Sequence, residues 1–110
     1  MKREIRPFVM LNDIDSIYDF ADSEVMDEQM SVDTIRIGYP IIDYCKESSH
    51  DFPTLEGKPC RSIVTLLLEI NRRINIECDK GNNYAPHHKE DYCIEVIKIE
   101  DNIANVFVGS

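Results

Sequence analysis

Eight carboxylates occupy the stretch between Arg6 and Arg36: Asp13, Asp15, Asp19, Asp22, Glu24, Asp27, Glu28 and Asp33, with no lysine or arginine among them. Acids at this density first suggest calcium. Asp13, Asp15, Asp19 and Glu24 stand where positions 1, 3, 7 and 12 of a calcium-binding loop would fall. The loop also needs an oxygen ligand at its fifth position and a glycine at its sixth, where the chain turns sharply. Ile17 and Tyr18 stand there instead, and the spacing of the apolar residues fits a helix better than a loop.

Zinc is the next chemistry. Cys78, His87, His88 and Cys93 make one possible set, with Cys45 and His50 as another near pair. Zinc sites usually draw their four ligands from two tight pairs, and only the adjacent histidines are tight. Neighbours on an extended chain point to opposite sides, so His87 and His88 share one ion poorly. They read as solvated loop residues, and no metal or other cofactor is expected. Cys45, His50 and Asp51 supply a thiol, an imidazole and an acid, but closeness in sequence does not set a nucleophile against its base. GxSxG, GxGxxG, GxxxxGK[ST] and HExxH are all absent. A chain of 110 residues leaves little room for a carbohydrate cleft between paired carboxylates. The reading is a protein without catalysis of its own.

Length and composition frame that reading. The 110 residues make one domain, 1–110, and 43% hydrophobic with 30% charged residues is the composition of a folded globule. Twelve lysines and arginines against 21 acids leave a net charge of −9, which repels nucleic acid and anionic lipid alike. The opening MKREIRPFVML begins basic, but Pro7, Asn12 and Asp13 cut its apolar run short of a signal-peptide core. No stretch approaches the length of a membrane span. A cytoplasmic protein is expected, with Cys45, Cys60, Cys78 and Cys93 reduced and acting as small apolar fillers; in a secreted chain they would make two bridges in any of three connectivities.

The elements that must position the acids can be read from periodicity. Residues 4–11 form a first strand, with Pro7 keeping it to an edge or to its start. Asn12 or Asp13 caps a helix on which Ile14, Ile17, Tyr18, Ala21 and Val25 recur at helical spacing. Asp15, Asp19 and Asp22 fall at i, i+4 and i+7, a stripe turned away from the apolar one. Ser23 offers a second cap, for a short helix or a kinked continuation to Met30. Residues 34–39 make a strand, and 40–47 fit either a helix or a strand. Residues 48–59 read as a loop on account of Pro53, Gly57 and Pro59.

The longest helix is expected over Pro59–Arg73, with Ile63, Leu66, Leu67, Ile70 and Ile74 on one face and Arg72 and Arg73 in its last turns. After a loop over 79–90, residues 91–100 make a strand. In it Ile94 and Val96 face opposite to Ile97 and Ile99, which calls for a bulge near Val96 or burial on both faces. Asp101 and Asn102 turn the chain into a final strand over 103–109. The expected class is α+β: a mostly antiparallel sheet, one long helix packed on a face, and an acidic N-terminal helical segment.

The acidic segment holds −8, while the rest of the chain sets 12 bases against 13 acids and nets −1. Like charges at i, i+4 weaken the helix that carries them, and aspartate is a poor helix former. A solvated face kept for solubility is one reading. The other is a surface that receives a cationic protein, with Asp15, Asp19, Asp22, Glu24, Asp27 and Glu28 steering and orienting it and Tyr18, Phe20, Met26 or Met30 as apolar anchors. In its whole-chain profile the protein resembles the bacterial toxin immunity proteins, including those of contact-dependent growth inhibition systems. The resemblance implies a stoichiometric inhibitor that covers the basic cleft of a cognate nuclease toxin, its acids standing where phosphates would lie. Two other classes compete. A phage-type nucleic-acid mimic would spread its acids along a whole face; a small ligand-binding domain or enzyme would need a pocket around His50 or His87 and His88.

Overall fold

The computed structural model describes residues 2–24, 30–38, 50–81 and 88–109. Along them run β1 (Lys2–Ile5), β2 (Val9–Met10), α1 (Ile14–Ser23), β3 (Thr34–Ile37), β4 (His50–Pro53), α2 (Ile63–Asp79), β5 (Cys93–Glu100) and β6 (Ile103–Gly109). The strands form one sheet in the order β1-β5-β6-β3-β4, with β2 also paired to β5. Every pairing is antiparallel except that of β3 with β6. The fold is α+β.

The β5–β6 hairpin is the centre of the sheet. Asp101 turns the chain at φ 56°, a left-handed conformation that aspartate and asparagine tolerate better than most residues. The register slips between Ile94 and Val96. This bulge answers the conflict in the strand's pattern: the extra residue brings Ile94 onto the same face as Ile97 and Ile99, and all three are buried. With Ile5, Ile35, Ile37, Ala104 and Val106 they make one wall of the core, and Leu66, Leu67, Ile70 and Ile74 of α2 belong to the same buried cluster. The opposite face alternates Lys2, Glu4, Lys98, Glu100, Arg36 and Asp51; Lys98 also stacks 5.2 Å from the Phe107 ring.

Several expected boundaries move. The first strand is two, β1 and β2, because Pro7 has no N–H to donate and Phe8 turns at φ 48°. The stretch expected as a loop over 48–59 contains β4, which exists by pairing antiparallel with β3. A 3-10 turn, Leu55–Gly57, follows it. The long helix starts four residues late and ends six late. Ser62 caps it, its hydroxyl accepting from Thr65 N while Thr65 Oγ1 accepts from Ser62 N, both at 3.2 Å. Arg72 and Arg73 therefore lie in mid-helix instead of at its end. Arg72 pairs with Glu69, and Arg73 lies 3.7 Å from Glu77 and 4.8 Å from the Phe52 ring centroid, so local acids replace the helix terminus as their partners. Strand β3 ends at Ile37. The helix-or-strand choice at 40–47 falls outside the described residues.

Candidate functional site

Asp13 sets the start of α1: its carboxylate accepts from Ser16 N at 3.3 Å and from Ser16 Oγ at 2.7 Å, satisfying a donor that the first turn leaves open. Asn12, at φ 69°, turns the chain from β2 into the helix and ties the turn to α2. Its backbone N–H donates to Asn71 Oδ1 at 2.7 Å, and its side-chain carbonyl accepts from Asn75 Nδ2 at 2.7 Å and Asn71 Nδ2 at 3.2 Å. At the other end the backbone N–H of Glu24 bonds Ala21 O at 3.2 Å, and the Glu24 carboxylate accepts from Arg3 Nη2 at 3.0 Å. Helix α1, about 15 Å long at 1.5 Å per residue, thus runs from the β2 end of β5 to the flank of β1, held at both ends.

Between these ties the helix turns Ile17 fully into the core, with Phe20 and Ala21 packed beside it. Asp15, Asp19 and Asp22 are exposed, and none forms an ion pair with the described residues. At about 100° per residue the outer surface reads, going around the helix, Ile14, Tyr18, Asp22, Asp15, Asp19. The acidic stripe is therefore turned away from the core, as its spacing predicts. Ile14 and Tyr18 are a correction to the expected apolar face: they are 40% and 49% exposed, because Ile17 takes the centre of the contact and leaves both at its margin.

The other described acids of the segment, Asp13, Glu24 and Asp33, each have a partner of their own. Asp13 is spent on the cap. Glu24 is half-buried in its pair with Arg3. Asp33 accepts from Asn102 Nδ2 at 2.7 Å and Thr34 Oγ1 at 2.9 Å, bonds that hold its carboxyl below the ordinary carboxylate range. Asp27 and Glu28, expected in the partner surface, lie outside the described residues, as does Met26. Phe20 and Met30 are not available as anchors, since Phe20 packs against the core and Met30 is inside it. Ile14 is exposed instead, and the wheel position that exposes it is set by the neighbours of α1, which no local pattern shows.

Among the described residues the cysteine and histidine candidates are not gathered around one point. Cys60 is in the core, where burial and the nearby Glu69 charge push its thiol up to about 11. Burial also raises Cys78 and Cys93, so none of these three is an activated nucleophile. Cys45 and His87 lie outside the described residues. His50, on β4, stands opposite Ile37, and the neighbouring Asp51 makes a two-pronged pair with Arg36 that lowers its pKa. Among the described residues no group of three histidines, cysteines and acids is placed to hold a metal ion. An open groove of about 610 Å³ lies between the Leu55–Gly57 turn and α2, with Leu55, Lys58, Arg61, Leu68 and Arg72 among its lining residues and no histidine. Among the described residues no helix is long and apolar enough to cross a membrane. Comparison with family models, with curated proteins and with solved structures found no match to this chain.

Proposed function

We propose that this chain is a cytoplasmic immunity protein, a non-catalytic inhibitor that binds a cognate basic nuclease toxin of the contact-dependent growth inhibition kind through α1. The observation that carries the reading is the exposed row Asp15, Asp19 and Asp22, three carboxylates on one helix face with no cation of the described chain set against them. Repulsion along such a row costs a helix about 0.2–0.5 kcal/mol per neighbouring pair, and lysines interspersed among the acids would keep the protein soluble without that cost. The row acquires a use when a positively charged cleft arrives. The negative field then raises the encounter rate, sets the docking orientation, and turns away acidic proteins and nucleic acid.

The phage-type mimic is the second reading, and the same three acids favour it. It is the weaker one, because the opposite sheet face alternates both signs and presents no continuous row of acids. A pocket-bearing enzyme has less support still: the three described thiols are all raised, and the described acids lining the groove beside α2 are already paired, Glu69 with Arg72 and Glu56 with Lys58.

The test is to express the reading frame next to this gene in cells with and without this chain. The native chain is expected to protect, and the combined reversal Asp15→Lys, Asp19→Lys, Asp22→Lys to abolish protection while far-UV circular dichroism stays unchanged. Undiminished protection by the reversed variant would move the interface elsewhere and remove the role given to α1.

A further inference from the structure

Ile14 and Tyr18 carry the inhibitor reading one step further, and the inference rests on it. We infer that α1 receives a short amphipathic, lysine- or arginine-bearing segment of the partner, whose apolar side chains cover Ile14 and Tyr18 while its cations meet Asp22, Asp15 and Asp19.

The apolar pair sits at i, i+4 on an outer surface, 40% and 49% exposed, and its neighbour around the helix is the acidic row. Tyrosine suits such a position: its ring offers a large contact area at small cost in conformational entropy, and its hydroxyl keeps a polar partner. The order Ile14, Tyr18, Asp22, Asp15, Asp19 specifies what can cover it. A polyanion or an anionic lipid surface would be repelled by three carboxylates. A purely apolar surface would strip water from those carboxylates without pairing them, which is strongly unfavourable. A purely cationic surface would pair the acids and leave the ring and the isoleucine wet. Apolar atoms placed beside cations satisfy both halves, and a helix or loop that alternates the two supplies them at the right spacing. On this division of labour the acids govern association, and Ile14 and Tyr18 govern how long the complex lasts.

Two synthetic peptides of equal positive charge test this, one with leucine and lysine at helical spacing and one in which every leucine is replaced by serine, each titrated into the whole protein by fluorescence anisotropy. The native chain is expected to bind the leucine peptide at least tenfold more tightly. In the double variant Ile14→Ala, Tyr18→Ala the two peptides should bind alike, whereas Asp15→Asn, Asp19→Asn, Asp22→Asn should weaken both. Tyr18→Ser alone, which leaves Ile14 and its core margin untouched, should already lose most of the preference and guards against a double variant that misfolds. Equal binding of the two peptides by the native chain, or a full preference surviving in the Tyr18→Ser variant, overturns the inference. Protection from the toxin without peptide discrimination would sink this inference and leave the inhibitor reading standing; discrimination without protection would do the reverse.

Discussion

Asn71 illustrates how much a single side chain can hold. It is buried on α2, yet it accepts the backbone N–H of Asn12 and donates back to the Asn12 side-chain oxygen Oδ1, so a left-handed turn and a helix share one polar contact. Asn71→Ala leaves a backbone donor without its acceptor, and the expected loss is about 1–3 kcal/mol, read as a lower urea midpoint with unchanged slope. Cys60 gives a second expectation. Its thiol titrates near 9.0 when unfolded and near 11 when folded, so between those values the unfolded chain has released a proton that the folded one keeps. Stability attributable to Cys60 is therefore intact below pH 9 and falls as pH rises toward about 11, by on the order of 2 kcal/mol. Thermal melts of the native chain and Cys60→Ala across that window should converge as pH rises; parallel curves would show that the thiol is not the cause. The Asn12–Asn71 contact is not legible in sequence, because no spacing rule joins the two residues, whereas the burial of Cys60 as a small apolar filler was.

At the scale of the element, α1 lets its structural role be tested apart from the binding role proposed for it. Asp15 and Asp19 are neighbours on its exposed surface, and Asp19→Lys replaces a repulsion with an i, i+4 attraction. The helix should gain about 0.3–0.5 kcal/mol in a denaturation experiment, while protection from the toxin weakens. A substitution that stabilises the fold and harms the function marks a residue retained for its partner; equal or better protection would mark a surface kept only for solubility. The helix itself and its stripe were legible, since Asp13 is a strong cap and the acids recur at helical spacing. Its exposed margin was not. Ile14, Ile17, Tyr18 and Ala21 span a wide arc, and which part of that arc is buried depends on α2 and the sheet. Strand β4 was hidden for a related reason: HDFP has a weak pattern of its own beside Pro53, and it becomes a strand only through its pairing with β3.

For the molecule as a whole, charge separation is the property that matters. The segment between Arg6 and Arg36 holds −8 and the remainder −1, but folding assigns Asp13, Glu24 and Asp33 to local partners. Of the segment's described acids, only Glu24 is matched by a cation, Arg3; Asp13 and Asp33, bonded to neutral groups, keep their charge, and Asp15, Asp19 and Asp22 form the exposed row to which the proposed steering is assigned. At physiological ionic strength charges act over about 8 Å, and over about 30 Å at 0.01 M. On the proposed function, association with a basic toxin domain should slow at least about tenfold from low to high salt, with a much smaller change in dissociation. Stopped-flow rates over that range check it, and a flat salt dependence would rule out steering.

Local chemistry was sufficient to determine from the sequence alone that the chain mixes helices with a mostly antiparallel sheet, that the pattern around Val96 needs either a bulge or burial on both faces, that Asp101 and Asn102 turn the last hairpin, and that one segment carries the negative charge. These follow from periodicity, backbone preference and counting, which act between near neighbours. Tertiary structure decided the parallel match of β3 with β6, the burial of Ile17 over Ile14 and Tyr18, and which acids remain free. Each of those depends on side chains brought together from distant parts of the chain, where burial and pairing energies outweigh what any short stretch prefers for itself.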